Sequence, residues 1–220
     1  MTINTYATLK TAIANWLERS DLTDRIPEFI SLAQTRMYRG QLGPDGRTWI
    51  IPPLRIRDMI TTANISVTSG SGSLPSGWLE FVRLWIDATD QPNLKYLPIQ
   101  TFYDHAGAHN TSAAADVLAY TVEGSTIRTA APMTATLKSV HFAAFTAMSA
   151  DGDADWIVLN APQVYLDGAL AEACNGYLRD YEAGAYHAGQ FAGHIKGLNA
   201  QYSQAQHAGA ALVMRPKAIA

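Results

Sequence analysis

The hydrophobic period of this chain changes twice. Apolar residues recur at helical spacing at both ends of the sequence, and in short runs bounded by turn residues between them. After Thr5, a fair N-cap, Tyr6, Leu9, Ile13, Trp16 and Leu17 share one face and predict a helix ending near Ser20. Ile26, Phe29, Ile30, Ala33 and Met37 predict a second helix, and "GQLGPDG" at 40–46 closes this region with three glycines and a proline.

From Arg47 to about Ala150 the segments are β-type. Ile65 and Val67 mark one strand, and residues 136–145 mark another. "WLEFVRLWID" is apolar on both faces and predicts a strand covered on both sides. Gly124-Ser125, within "VLAYTVEGSTIRTA", suits a Gly-first type II′ hairpin turn.

Helix returns near Asp155, with Pro162 in a first turn. Leu166, Leu170, Cys174, Leu178 and Tyr181 then form a stripe. A last helix follows Gly184 to about His207, carrying Phe191, Ile195, Leu198 and Tyr202. Its Gly189, Gly193 and Gly197 each cost about 1 kcal/mol against alanine, so close approach of another backbone is the expected reason for them.

This pattern predicts an α+β protein. The terminal helices, 1–42 and 155–210, would form a roughly four-helix bundle, and 47–150 a small antiparallel β-domain inserted between them. Residues 211–220 would be an extended, apolar and weakly basic arm.

With 220 residues, 48% of them hydrophobic, the chain can bury a real core. A net charge of −3 gives no general drive toward nucleic acid or anionic membranes. One cysteine implies no internal disulfide. "MTINTYATLK" lacks the basic and apolar regions of a secretory signal, so the chain is expected to be made in a cytoplasm, and to stay soluble or be assembled there.

Candidate chemistry is thin. Cys174 shares its stripe with Leu170 and Leu178, where a thiol behaves as a small hydrophobe, and Glu172 lies on another face. "DGDAD" at 151–155 starts like a calcium loop, but the sixth and twelfth positions are Trp156 and Pro162; a turn in which Asp153 or Asp155 caps the next helix is expected. His105 and His109 are four apart in a small-residue stretch read as a surface loop. His187 and His194 could face the same way on the last helix, without an evident third ligand, and His141 reads as a core or interface histidine. No catalytic residue, metal or cofactor is expected from these residues.

Four segments, in order, resemble the head-to-tail adaptor proteins of tailed bacteriophages, the group that includes tail tubular protein A. "TYATLKTAIANWLERSDLTDRIPEFISLAQTRMYRGQL" is similar to that family's opening helix pair, and "LPSGWLEFVRLWID" to its aromatic strand. Tyr120, Val122, Gly124 and Ile127 fit its central hairpin, and "WIVLNAPQVYLDGALAEACNGYLRD" resembles its most recognisable segment. The quoted segments leave out residues 98–116 and the C-terminal tail.

The resemblance implies a structural virion protein. Homo-oligomers, twelve-membered rings in that family, sit beneath the portal protein, extend the channel through which DNA leaves without specific binding, and present a surface to the next tail or nozzle protein. By position it also implies a portal-binding role for the arm, through Leu212, Val213, Met214, Arg215, Pro216 and Lys217.

Two other readings stand beside it. One is a binding module for carbohydrate or a host surface, with Trp78, Trp85, Tyr96 and Tyr120 as stacking platforms. The other is a hydrolase using Cys174 or a histidine.

Overall fold

The computed structural model describes residues 2–88, 90, 92–108, 118–130 and 132–207, with the backbone alone at 105–108 and 206–207. In chain order the elements begin with helices α1 (Tyr6–Leu17) and α2 (Ile26–Arg39), then strands β1 (Gln41–Leu42) and β2 (Trp49–Ile51). Strands β3 (Ile60–Val67), β4 (Ser71–Ser73), β5 (Trp78–Ile86) and β6 (Lys95–Tyr96) lead to helix α3 (Ile99–Ala108). Then come β7 (Ala119–Glu123), β8 (Thr126–Thr129), β9 (Ala135–Ala143), α4 (Trp156–Asn160) and α5 (Pro162–Glu172). A π-helical segment, Ala173–Leu178, precedes the long helix α6 (Tyr181–His207). The class is α+β. The chain divides into two compact units, one built from the stretch up to Asp58 together with that from Thr146, the other from Met59–Phe145.

In the first unit α5 is the centre. It packs against α1, α2, α4 and α6, and Val164, Tyr165, Leu166, Gly168, Ala169, Leu170 and Ala171 are all buried. A helix covered on nearly every side has no polar face to keep wet, which explains its run of small and apolar residues. Gly168 lets two neighbouring helices come close. A Cβ placed there would lie 2.9 Å from the Ala33 Cβ on α2 and 3.0 Å from the Phe191 ring on α6, so a side chain larger than hydrogen would push both helices away.

The flanking helices follow the sequence reading. Thr5 caps α1 in a reciprocal box with Thr8, and the backbone N–H groups of Tyr6 and Ala7 donate to the carbonyls of Asp153 and Asp151. Ile26, Phe29, Ile30, Ala33 and Met37 of α2 are buried. Gly40, at φ 71°, ends that helix in the left-handed region glycine favours. The "GQLGPDG" turn carries a two-stranded hairpin, β1 against β2. Asp45 ties that turn by accepting from the Thr48 hydroxyl and from the N–H groups of Arg47 and Thr48, which together hold its carboxyl down at about 2. Asn199 of α6 pins the following Pro52-Pro53 segment, donating to the Pro53 carbonyl at 3.0 Å and accepting from the Arg55 N–H at 2.8 Å.

Three expectations need correction here. Trp16 and Tyr181 are 62% and 68% exposed rather than buried in their stripes. Trp16 lies in the last turn of α1, and the helix before Tyr181 unwinds through π geometry to a left-handed Arg179. Gly189, Gly193 and Gly197 meet nothing within 4 Å of an added Cβ. On α6 it is Gly184 that has a close neighbour, the Asn175 side chain, and on α5 Gly168 admits two neighbouring helices.

Among the described residues, the second unit holds two sheets. One runs β3-β9-β5 and the other β4-β8-β7-β6. Ile65, Val67, Leu84 and Leu137 from the first sheet form one buried cluster with Tyr120 and Ile127 from the second and with Leu94. The β7–β8 hairpin turns at Gly124 with φ 58°, as a Gly-first II′ turn requires. Pairing is antiparallel except between β6 and β7, which run parallel. A parallel pair needs a crossover, and here α3 lies between the two strands in the chain and packs on β7. Residues 99–108 are therefore helix, where the stretch around His105 was read as a surface loop.

Strand β5 also departs from expectation. It is an edge strand, interrupted between Trp78 and Glu80 and again between Phe81 and Arg83. Only Leu84 is fully buried, and Val82 is 53% exposed. The apolar residues read as covered on both faces are instead redistributed by these irregularities.

Two substitutions should separate close packing from idle glycine. Gly168→Ala is expected to destabilise the protein by about 1–3 kcal/mol through overpacking, whereas Gly193→Ala, on an exposed helix face, is expected to stabilise it by about 1 kcal/mol. Urea-denaturation midpoints measure both. Thr121→Val should also raise the midpoint, stabilising the protein by about 1 kcal/mol, because the Thr121 hydroxyl is buried with no hydrogen-bond partner among the described residues.

Candidate functional site

The sequence-selected reactive groups are structural in their settings. Cys174 is buried, its thiol pushed up by burial and then by the Asp180 carboxylate, the reverse of what a thiolate nucleophile needs. Glu172 faces α2 instead, pairing with Arg36 at 3.0 Å. Burial raises its carboxyl and Arg36 opposes that shift. Asp155 caps α4 by accepting from the Val158 N–H at 2.9 Å, and accepts the Tyr165 hydroxyl at 2.5 Å. Asp153 accepts the N–H groups of Ser149 and Ala150, and Asp151 pairs with Lys10 at 2.7 Å. Each carboxylate of "DGDAD" thus closes a turn or joins two segments of the chain.

The histidines part company. His141 is buried on β9 beside Ser139, 3.1 Å from its hydroxyl, and burial lowers its ring. His187 and His194 do face the same way, and they meet a group the sequence reading passed over. Asp167 on α5 receives His187 Nδ1 at 2.8 Å on one oxygen and His194 Nε2 at 3.0 Å on the other. Each neutral imidazole can supply one N–H, so the carboxylate is satisfied twice and fastens two turns of α6 to α5. Among the described residues no group of three His, Cys, Asp or Glu is arranged to hold a metal ion. The His105–His109 pair lies outside the described side chains, as do Leu212, Val213, Met214, Arg215, Pro216 and Lys217.

What remains is surface. The aromatics singled out as stacking platforms divide: Trp78, Tyr96 and Tyr120 meet at one cleft of about 330 Å³, while Trp85 lies under the Arg83 guanidinium, 4.7 Å from its ring centroid. Leu79, Glu80, Phe81 and Val122 complete the lining. A regular strand sends alternate residues to opposite faces, yet four consecutive residues of β5 reach this cleft, and the irregularity between Trp78 and Glu80 makes that possible. The rings stand edge to face: Phe81 to Tyr120 at 5.7 Å and Tyr96 to Tyr120 at 5.6 Å. The Tyr120 hydroxyl is raised by burial first, then by the nearby Tyr96 and Glu80. In the first unit, Trp16, Tyr177, Tyr181 and Tyr186 are more than half exposed.

A family model described as SU10 adaptor protein matches residues 4–215 of the chain. No curated protein matches it.

The buried setting of Cys174 has a direct check. Native Cys174 should react with a thiol reagent on the order of 100-fold more slowly than the urea-unfolded chain, and equal rates would place the thiol on the surface. Asp155 should leave a pH signature. Burial raises its folded value above the ordinary 3.8, so the native state holds a proton that the unfolded chain has released. That contribution to stability is complete below the unfolded value and is lost as pH rises through the folded one. Across this window the stability difference between the parent protein and Asp155→Asn should shift against the parent as pH rises.

Proposed function

Because the chain belongs to the SU10 adaptor family, a family of phage head-to-tail adaptors, we propose that it is a structural virion protein whose copies form a ring joining the portal protein to the next tail or nozzle component. The observation that carries this reading is the extent of the family match, which takes in both compact units rather than a single motif. The ring would extend the exit channel for DNA. A chain of net charge −3 suits that use, since a duplex that must slide needs no binding surface.

The helical unit would act as a bundle formed by the two ends of the chain, with Met59–Phe145 inserted as the β-domain. The groups that could have supported catalysis are engaged otherwise: Cys174 is buried with a raised thiol, and Asp155, Asp167 and Glu172 are each tied to neighbours. A twelve-membered ring is the copy number the family resemblance suggests, and the arm carrying Leu212, Val213, Met214, Arg215, Pro216 and Lys217 is the segment we assign to the portal.

The test is a binding assay with the portal protein of the same phage. Full-length protein should co-sediment with portal rings. Removing residues 210–220 should weaken binding by about tenfold or more while leaving the thermal unfolding of the chain unchanged. Equal binding by the shortened chain would refute the arm assignment, and no binding by the full-length chain would refute the adaptor role.

A further inference from the structure

The cleft of the β-unit has features that joining portal to tail does not call for. Trp78 and Phe81 are half-buried and Tyr96 is 54% exposed, so aromatic surface is presented beside the well-buried Tyr120. Polar groups stand with it: the Glu80 carboxylate and the hydroxyls of Tyr96 and Tyr120, close enough to influence one another. A volume of about 330 Å³ lies at the small end of ligand sites.

From this chemistry we infer that the cleft between β5 and the β6–β7 pair binds a neutral pyranose, alone or as one unit of an oligosaccharide. A pyranose has what the lining asks for. Its C–H groups carry the partial positive charge that the electron-rich face of an aromatic ring attracts. Its hydroxyls donate to the acceptor-only Glu80 carboxylate and exchange hydrogen bonds with the two tyrosine hydroxyls.

The same features weigh against other occupants. Residues 59–145 hold six acidic and four basic residues, a balance that disfavours a phosphorylated ligand. An added peptide strand needs a regular edge, and the two irregularities in β5 break the ladder beside the cleft. The inference is independent of the adaptor reading, and neither fails with the other.

Saturation-transfer NMR on the full-length protein is the test. The probes are the methyl glycosides of glucose and galactose, N-acetylglucosamine, and the trisaccharides maltotriose and cellotriose; a proline-rich decapeptide is the competing arm. At least one sugar should receive saturation on its ring C–H protons. Tyr96→Ala should weaken that sugar's binding about threefold to tenfold, and Glu80→Gln, which keeps the shape, by a similar factor. Tyr181→Ala, an exposed aromatic of the other unit, should leave it unchanged. A stronger response to the trisaccharide than to its monosaccharide would identify an oligosaccharide chain as the natural form, and equal responses a free sugar. Tyr96 and Glu80 are both exposed, so neither variant should fail to fold, and matching circular dichroism spectra check this. No response to any sugar, binding of the decapeptide alone, or sugar binding that survives both cleft substitutions would overturn the inference.

Discussion

The first unit depends on one close contact: the absence of a side chain at Gly168, which brings α5 within van der Waals distance of both Ala33 on α2 and Phe191 on α6. Helices pack tightly when a small residue lets a ridge settle into the facing groove. Here one glycine serves two neighbours on a helix buried nearly all round. The polar ties then work at short range. Asp167 one position earlier, joined to His187 and His194, fixes the rotation of α6, and Glu172 one turn later, joined to Arg36, fixes α2. Polar contacts at the rim of a helical core contribute modestly on their own; here they select one register of a packing that apolar burial already favours.

Much of this is legible in the sequence. The α2 stripe came through intact, since every apolar position read as buried is buried, and Gly124 announced its hairpin. Periodicity failed where the backbone stops being regular. The stripe through Cys174 assumed continuous α-helix, but the π-helical segment adds residues per turn and carries Tyr181 out to solvent. The two irregularities in β5 likewise defeat a strict two-residue period. Helix α3 was missed although Ile99 and Phe102 sit three apart, because the small-residue run around His105 gives weak periodicity and the parallel β6–β7 pair that needs a crossover cannot be seen in sequence.

Site reading followed the same division. Cys174 was recognisable as packing because its neighbours in the stripe are apolar. The Asp167 pairing was invisible, because α5 and α6 meet through residues 20 and 27 positions apart and only packing brings them together. The exposed glycines of α6 show the limit most plainly. Their spacing predicted a close neighbour, but the described fold supplies none, so their reason is not found within the chain as it folds alone.

The chain belongs to a family of phage adaptor proteins, and the family match spans both compact units. The most direct measurement is electron cryomicroscopy of the purified chain mixed with the portal protein of its own phage. The account predicts closed rings of this chain, twelvefold by the family resemblance, seated coaxially on the portal with an open central channel. Portal particles that carry no added ring density at saturating concentrations of the chain would contradict it.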